Sequence, residues 1–146
     1  MTIGDPHCAC VDKLNDILHR IVGLRGLVRG QNPVVLDPNE PEPDVTVVQR
    51  RPDFYRAGKP RPADTLLVIE VADTSFDYDR DVKGPHYARN GIPEYWIVNL
   101  NDDTVHVFRD PKPDSTWGST QQLARGGTLT IAALPGISVA IDDILP

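Results

Sequence analysis

Apolar residues recur every three or four positions between residues 10 and 24, at Val11, Leu14, Ile17, Leu18, Ile21 and Val22. That spacing places them on one stripe and predicts an amphipathic helix, stopped by Gly23 or Gly26. The pattern then shortens: residues 26–29 and 33–36 read as short strands around Gly30-Gln31-Asn32, and residues 45–48 as a third. Residues 65–71 are apolar without alternation, as expected of a strand buried on both faces at the centre of a sheet. Residues 78–90 predict a second helix that contains Pro85. Proline fits a first turn or forces a kink, so the regular part begins near Gly84 or the helix bends. Gly91 supplies the stop. Residues 94–100 and 104–109 predict a hairpin around Asn101-Asp102-Asp103, and further strands are expected near 121–123, 128–131 and 137–141. Residues 50–63 break the pattern, with three prolines, one glycine and five cations (Arg50, Arg51, Arg56, Lys59, Arg61) beside Phe54 and Tyr55. They predict a loop.

The order helix, strands, central strand, helix, strands implies a mixed α/β (α+β) sheet with helices packed on it. Two helices exclude an all-β fold, and the absence of a Gly-rich strand-to-helix turn excludes a doubly wound nucleotide-binding fold. The 146 residues suit a single domain spanning 1–146, without repeats. Hydrophobic residues make up 40% and charged residues 25%, the balance of a globular chain. No apolar run approaches the ~20 residues of a membrane span. The N-terminus lacks the order of a signal peptide, so a cytoplasmic location is expected. Cys8 and Cys10 give no disulfide framework. With His7 they resemble part of a metal site, but no second ligand cluster follows. They read as two reduced residues near a helix start. The net charge of −6 argues against a protein that coats nucleic acid. It weighs less against an enzyme with an acidic site, where bound divalent cations invert the local sign.

Three polar residues stand out against this background. Asp44 opens the strand at 45–48, Glu70 follows four apolar residues in the central strand, and Lys83 lies on the second helix. Residues at strand ends face a common crevice. If the two strands are antiparallel neighbours, Asp44 and Glu70 come within range of one cation. Magnesium asks for one or two carboxylates, with water and substrate oxygens completing its shell. It can then activate a water for attack on phosphorus, while a lysine stabilises the phosphate. Each residue also has a plainer explanation. A carboxylate before a strand is commonly a solvated turn residue, and a helix lysine commonly a solvated face. Glu70 is harder to explain so, because a buried acid needs a partner or a metal. Tyr87, four residues past Lys83, either orders the lysine or packs. Asp79 and Asp81 either hold a second metal or pair with Arg80 at the surface. Tyr95 and Trp96 point to opposite faces of a strand, one to the core and the other to a groove or an oligomer contact. The five cations of the 50–63 loop suit nucleic-acid contact, with stacking by its two aromatics.

Pro43-Asp44-Val45, Leu67-Val68-Ile69-Glu70-Val71, Tyr78-Asp79-Arg80-Asp81-Val82-Lys83, Tyr87-Ala88 and Gly91-Ile92-Pro93-Glu94-Tyr95-Trp96-Ile97-Val98 together resemble the Uma-type "putative restriction endonuclease" family, a branch of the PD-(D/E)xK nuclease superfamily. The resemblance runs from about His7 to the C-terminus. It implies a restriction-endonuclease-like mixed sheet flanked by helices, and metal-dependent hydrolysis of DNA phosphodiesters. Mg²⁺ or Mn²⁺ would lie on Asp44 and Glu70, Lys83 would be catalytic, and Asp81 and Tyr87 would support. The superfamily lysine usually lies two residues after the acid, where this chain has Ala72; in similar families it is displaced onto the following helix, which gives Lys83. Asp73-Thr74-Ser75-Phe76 replaces the usual Ser-Pro-Ser-Thr-like turn, and Gly84-Pro85 stands where relatives have good helix formers. Relatives carry some tens of residues before the point where this chain starts, so an edge of the sheet and a supporting acid are expected to be lacking. DNA is the expected partner, no membrane contact is expected, and a homodimer agrees with one site cutting one strand. The alternative is a catalytically silent nuclease-fold module that binds nucleic acid or a protein through the same groove. A third reading is a shortened product that folds only with a partner on its open edge.

Overall fold

The computed structural model describes residues 3–146. Helix α1 (Asp5–Val22) is followed by strands β1 (Leu27–Gly30), β2 (Val45–Val48) and β3 (Thr65–Ala72). A helical crossover then comprises α2 (Phe76–Tyr78), a π-helical turn (Asp79–Lys83) and α3 (Gly84–Arg89). Strands β4 (Glu94–Asn99), β5 (Thr104–Pro111), β6 (Trp117–Ala124), β7 (Thr128–Thr130) and β8 (Ser138–Ala140) precede a closing turn of helix, α4 (Ile141–Ile144). Strands β1 to β6 form one sheet in sequence order, and β7 and β8 form a separate pair. Every neighbouring pair in the large sheet is antiparallel except β3 and β4, which the helical crossover joins in parallel. The mixed α/β class expected from the element order is what the chain adopts.

Each face of the sheet has its own core, and β3 contributes to both by alternation. Leu67, Ile69 and Val71 pack with Cys10, Leu14, Leu18 and Val22 of α1 and with β7, β8 and α4. Val68 and Ala72 face the other way, toward Tyr87, Ile92, Tyr95 and Phe108. A strand covered on both sides must be apolar at odd and even positions alike, which is why β3 lacks the alternation of a surface strand. Tyr95 and Trp96 do point to opposite faces, but both are fully buried, because neither face of β4 is open to solvent.

Several boundaries differ from the sequence expectation. Helix α1 starts five residues earlier, at Asp5, because Pro6 occupies its first turn, where no amide donor is needed. Residues 33–36 form no strand. Their amides are spent inside their own loop and on its neighbour: Val34 N–H on Pro41 O (3.0 Å), Leu36 N–H on Asn39 O (2.9 Å) and Val35 N–H on Pro60 O (2.8 Å). β6 is longer than the expected 121–123, since pairing with β5 carries it back to Trp117. Pro85 lies in the first turn of α3, beginning at Gly84, as its missing donor requires.

Candidate active site

The β2–β3 register pairs Val45 with Ile69, which sets Asp44 opposite Glu70. Glu70 shares its strand face with Val68 and Ala72, so its side chain is aimed at the helical crossover, not at α1. Two bonds bind the acids together: the Asp44 N–H donates to Glu70 Oε1 (3.2 Å), and the Val71 N–H donates to Asp44 Oδ2 (2.8 Å). Lys83 Nζ donates to Glu70 Oε2 (2.9 Å), and the Tyr87 hydroxyl donates to the same oxygen (3.0 Å). The spacing of four along the helix puts Asp79, Lys83 and Tyr87 on one side, and Lys83 also pairs with Asp79 Oδ1 at 3.4 Å.

The π-helical turn makes this aim achievable. The Gly84 N–H reaches back five residues to Asp79 O, and the Tyr95 hydroxyl donates to the same carbonyl (3.0 Å). The turn ends where Gly84-Pro85 begins a fresh helix, so the crossover carries Lys83 over Glu70 before the chain descends into β4. Single-turn π insertions of this sort tend to occur where a helix presents functional groups.

Glu70 is 3% exposed. Burial pushes its pKa up to about 7; the Lys83 ammonium opposes this, and Asp44 and Asp79 add to it. Burial likewise raises Asp79, against the pull of Lys83. Burial works against the Lys83 ammonium, but Glu70 and Asp79 together outweigh it and hold the pKa above the ordinary lysine value. Lys83 is therefore a cation through the neutral range. The Tyr87 hydroxyl is raised by burial and by Glu70, and so stays a donor.

The structure brings Asp44, Glu70, Lys83 and Tyr87 together. It does not bring Asp81, which faces outward, bonds Arg80 at 2.8 Å and touches neither carboxylate. Nor does it gather the loop cations there. Residues 50–63 join the end of β2 to the start of β3, and five residues of strand, roughly 17 Å, separate Thr65 from Glu70. Much of the loop's charge is engaged locally. Arg50 donates to Gly26 O (3.1 Å), Arg51 pairs with Asp53 (3.2 Å) and lies over the Tyr55 ring, and Lys59 pairs with Glu40 (2.7 Å). Arg56 and Arg61 are exposed.

From sequence, Asp79 is expected to hold a second metal or pair with Arg80 at the surface, and His7 to sit with Cys8 and Cys10; the structure gives both different partners. Asp79 is buried and tied to Lys83 and to the Ser75 hydroxyl (3.0 Å), not solvated. Its position four residues before Lys83 was the available signal. His7 Nε2 lies 3.3 Å from Asp44 Oδ2, at the start of α1, while its buried Nδ1 has no partner among the described residues. No local pattern links residues 7 and 44, so only the packing of α1 on the sheet reveals this contact.

A groove of about 660 Å³ opens beside the pair, between the 38–42 segment and the crossover helix, with Lys83 and Tyr87 in its lining. Among the described residues, no group of three or more His, Cys, Asp or Glu side chains is arranged to hold a metal, and no helix is long and apolar enough to cross a membrane. Two hard carboxylate donors side by side nevertheless suit a cation whose remaining positions go to water and substrate.

A family model described as "Uma2: Putative restriction endonuclease" matches residues 1–142. Among solved structures, the chain is similar to a protein from Anabaena variabilis described as a putative nuclease belonging to DUF820. The TM-score is 0.72 at 15% identity, over 99% of this chain and 82% of that one. At that identity the likeness bears on the fold. Among curated proteins, none matches.

Proposed function

This chain belongs to the Uma2 family, and from that footing we propose that it is a metal-dependent endonuclease that hydrolyses DNA phosphodiester bonds. The observation that carries the proposal is the pairing of part-buried Asp44 with buried Glu70, with the Lys83 ammonium 2.9 Å from Glu70. Asp44 and Glu70 would hold Mg²⁺ or Mn²⁺, which supplies Lewis-acid activation of water and of the phosphate. The donor chemistry fits. Both ligands are hard oxygens, and a carboxyl lifted to about 7 by burial gains most from a divalent counter-charge. Lys83, fixed as an ammonium, donates to a phosphate oxygen as charge accumulates on it and is not a general base at neutral pH. Tyr87 holds the Glu70 carboxylate in place. Asp81 has no part in this arrangement, and Asp79 takes the supporting position instead. Two such sites in a homodimer would cut both strands of a duplex, since each site serves one strand.

The test is cleavage of supercoiled plasmid and of single-stranded DNA with Mg²⁺ or Mn²⁺, comparing wild type with Glu70→Ala and Lys83→Ala. Metal-dependent cutting, lost by at least ~100-fold in both folded variants, is expected, since such electrostatic groups are each worth roughly that factor. Manganese binding by calorimetry should weaken in Glu70→Ala and persist in Lys83→Ala. A folded wild type that binds manganese and cuts nothing would instead mark a silent binding module.

A further inference from the structure

The groove beside Lys83 contains more than hydrolysis requires. One wall is the 38–42 segment, pinned to the helix by His86 Nε2 on Asn39 Oδ1 (2.7 Å) and, just before it, by the Asp37 N–H on Asn90 Oδ1 (2.9 Å). The other wall is the outer side of the crossover, where Tyr78 is 55% and Val82 52% exposed. Pro38, Pro41 and Pro85 complete an apolar lining. Tyr78 and Val82 belong to a short set of large apolar side chains that the fold leaves in solvent. The Tyr78 ring centroid lies 6.0 Å from Lys83 Nζ, so a flat aromatic surface stands next to the ammonium at the catalytic pair.

The charges around the groove do not match a double helix. A duplex presents two rows of phosphates and is held by several cations that neutralise them. Here Glu42 and Asp81 lie on the rim, and Arg89 is already committed to His86 Nδ1 (2.8 Å) and the Ser115 hydroxyl (3.3 Å). Lys83, paired with Glu70 and Asp79 until a divalent ion joins the carboxylates, is the cation next to the exposed ring. One cation beside one aromatic plate fits a single nucleotide, with its phosphate on Lys83 and its base on Tyr78. Base–aromatic stacking is the common device of single-strand binding.

We infer that this groove is a subsite for an unpaired nucleotide, so that the protein engages single-stranded nucleic acid in preference to intact duplex. The inference rests on the nuclease reading for the phosphate at Lys83, and adds the substrate class.

The experiment uses the full chain with a DNA oligonucleotide carrying one 2-aminopurine, single-stranded or annealed to its complement, with Ca²⁺ replacing Mg²⁺ to hold back cleavage. Wild type, Tyr78→Ala and Tyr78→Phe are compared; the exposed position of Tyr78 lets the variants fold. Expected are a fluorescence change and binding on the single strand, at least ~10-fold tighter than on the duplex. Binding should weaken about 10-fold in Tyr78→Ala, the loss of one stacked base, and be retained in Tyr78→Phe. Duplex bound as tightly as single strand, binding indifferent to Tyr78→Ala, or binding to neither form overturns the inference. Parallel reactions in Mg²⁺ separate it from the nuclease reading. Single-strand cleavage untouched by Tyr78→Ala removes the subsite and leaves the nuclease. Tyr78-dependent binding of a strand that is never cut removes the nuclease and leaves the subsite.

Discussion

Glu70 is the residue on which the site turns, because it is buried acid and prospective ligand at once. Its carboxyl, ordinarily near 4.5, is raised to about 7 in the fold, so the native state holds a proton that the unfolded chain releases. The sign follows: its contribution to stability is fully present below about pH 4.5 and is lost as pH rises through 7, a swing on the order of 3 kcal/mol. In chelator, the unfolding free energy attributable to Glu70 should therefore fall between pH 4.5 and 7, and Glu70→Gln should flatten that part of the profile. Denaturant titrations at several pH values would show it. A profile identical in the variant would mean that Lys83 already keeps the group ionised. Divalent ions favour the ionised form, so manganese should restore stability most at and above neutral pH. Of these residues, Glu70 was legible from its neighbours alone, since an acid after four apolar residues needs a partner. His7 was not, because its relation to Asp44 exists only after α1 docks.

At the scale of elements, periodicity revealed most of the architecture. The 3.6-residue stripe of α1, the unbroken apolar run of β3 and the β4–β5 hairpin all follow from local pattern. Two elements escaped it. Residues 33–36 are apolar enough for a strand, but Val34 and Leu36 are buried as a loop over the second core, and hydrophobicity alone does not say where the amides go. The π-helical turn escaped as well, because nothing in Asp79–Lys83 announces an i to i+5 bond. The Gly-Ile-Pro-Glu-Tyr-Trp stretch has its own structural logic. Glu94, buried in β4, accepts from Trp96 Nε1 (2.7 Å), Arg109 Nη2 (3.0 Å) and the Ala132 N–H (2.9 Å). It thereby ties the large sheet to the segment after β7. Glu94→Ala leaves the buried Trp96 Nε1 donor without its acceptor and Arg109 with Thr130 alone (2.8 Å to its carbonyl oxygen), and should cost about 1–3 kcal/mol, read by chemical denaturation. A loss under about 1 kcal/mol, the worth of an ordinary hydrogen bond, would show that the tether is replaceable.

At the scale of the molecule, the carboxylates and the basic loop occupy opposite ends of β2 and β3, a separation invisible in a linear sequence that places Asp44 and Arg50 six residues apart. The 31–44 segment bridges them: Glu40 pairs with Lys59, and the next residues wall the groove. A strand leaving the groove over this wall would reach Arg56 and Arg61. The double variant Arg56→Ala/Arg61→Ala should leave binding of a very short oligonucleotide unchanged and weaken binding of a ~20-nucleotide strand, lowering the salt slope by about 1.4 for two lost contacts. Titrations at several salt concentrations decide it, and an unchanged slope would remove the loop from the binding path.

The bond between Lys83 and Glu70 imposes an order of events. With no divalent ion bound, the ammonium sits 2.9 Å from the buried acid, becomes its counter-charge as Glu70 ionises above about pH 7, and is only 34% exposed, so a phosphate arriving first finds it already employed. An ion that settles between the carboxylates takes over that duty and frees the lysine. On the proposed nuclease reading, addition would be sequential, cation before strand, and protein mixed with nucleic acid first should start with a lag that disappears when the metal is added beforehand.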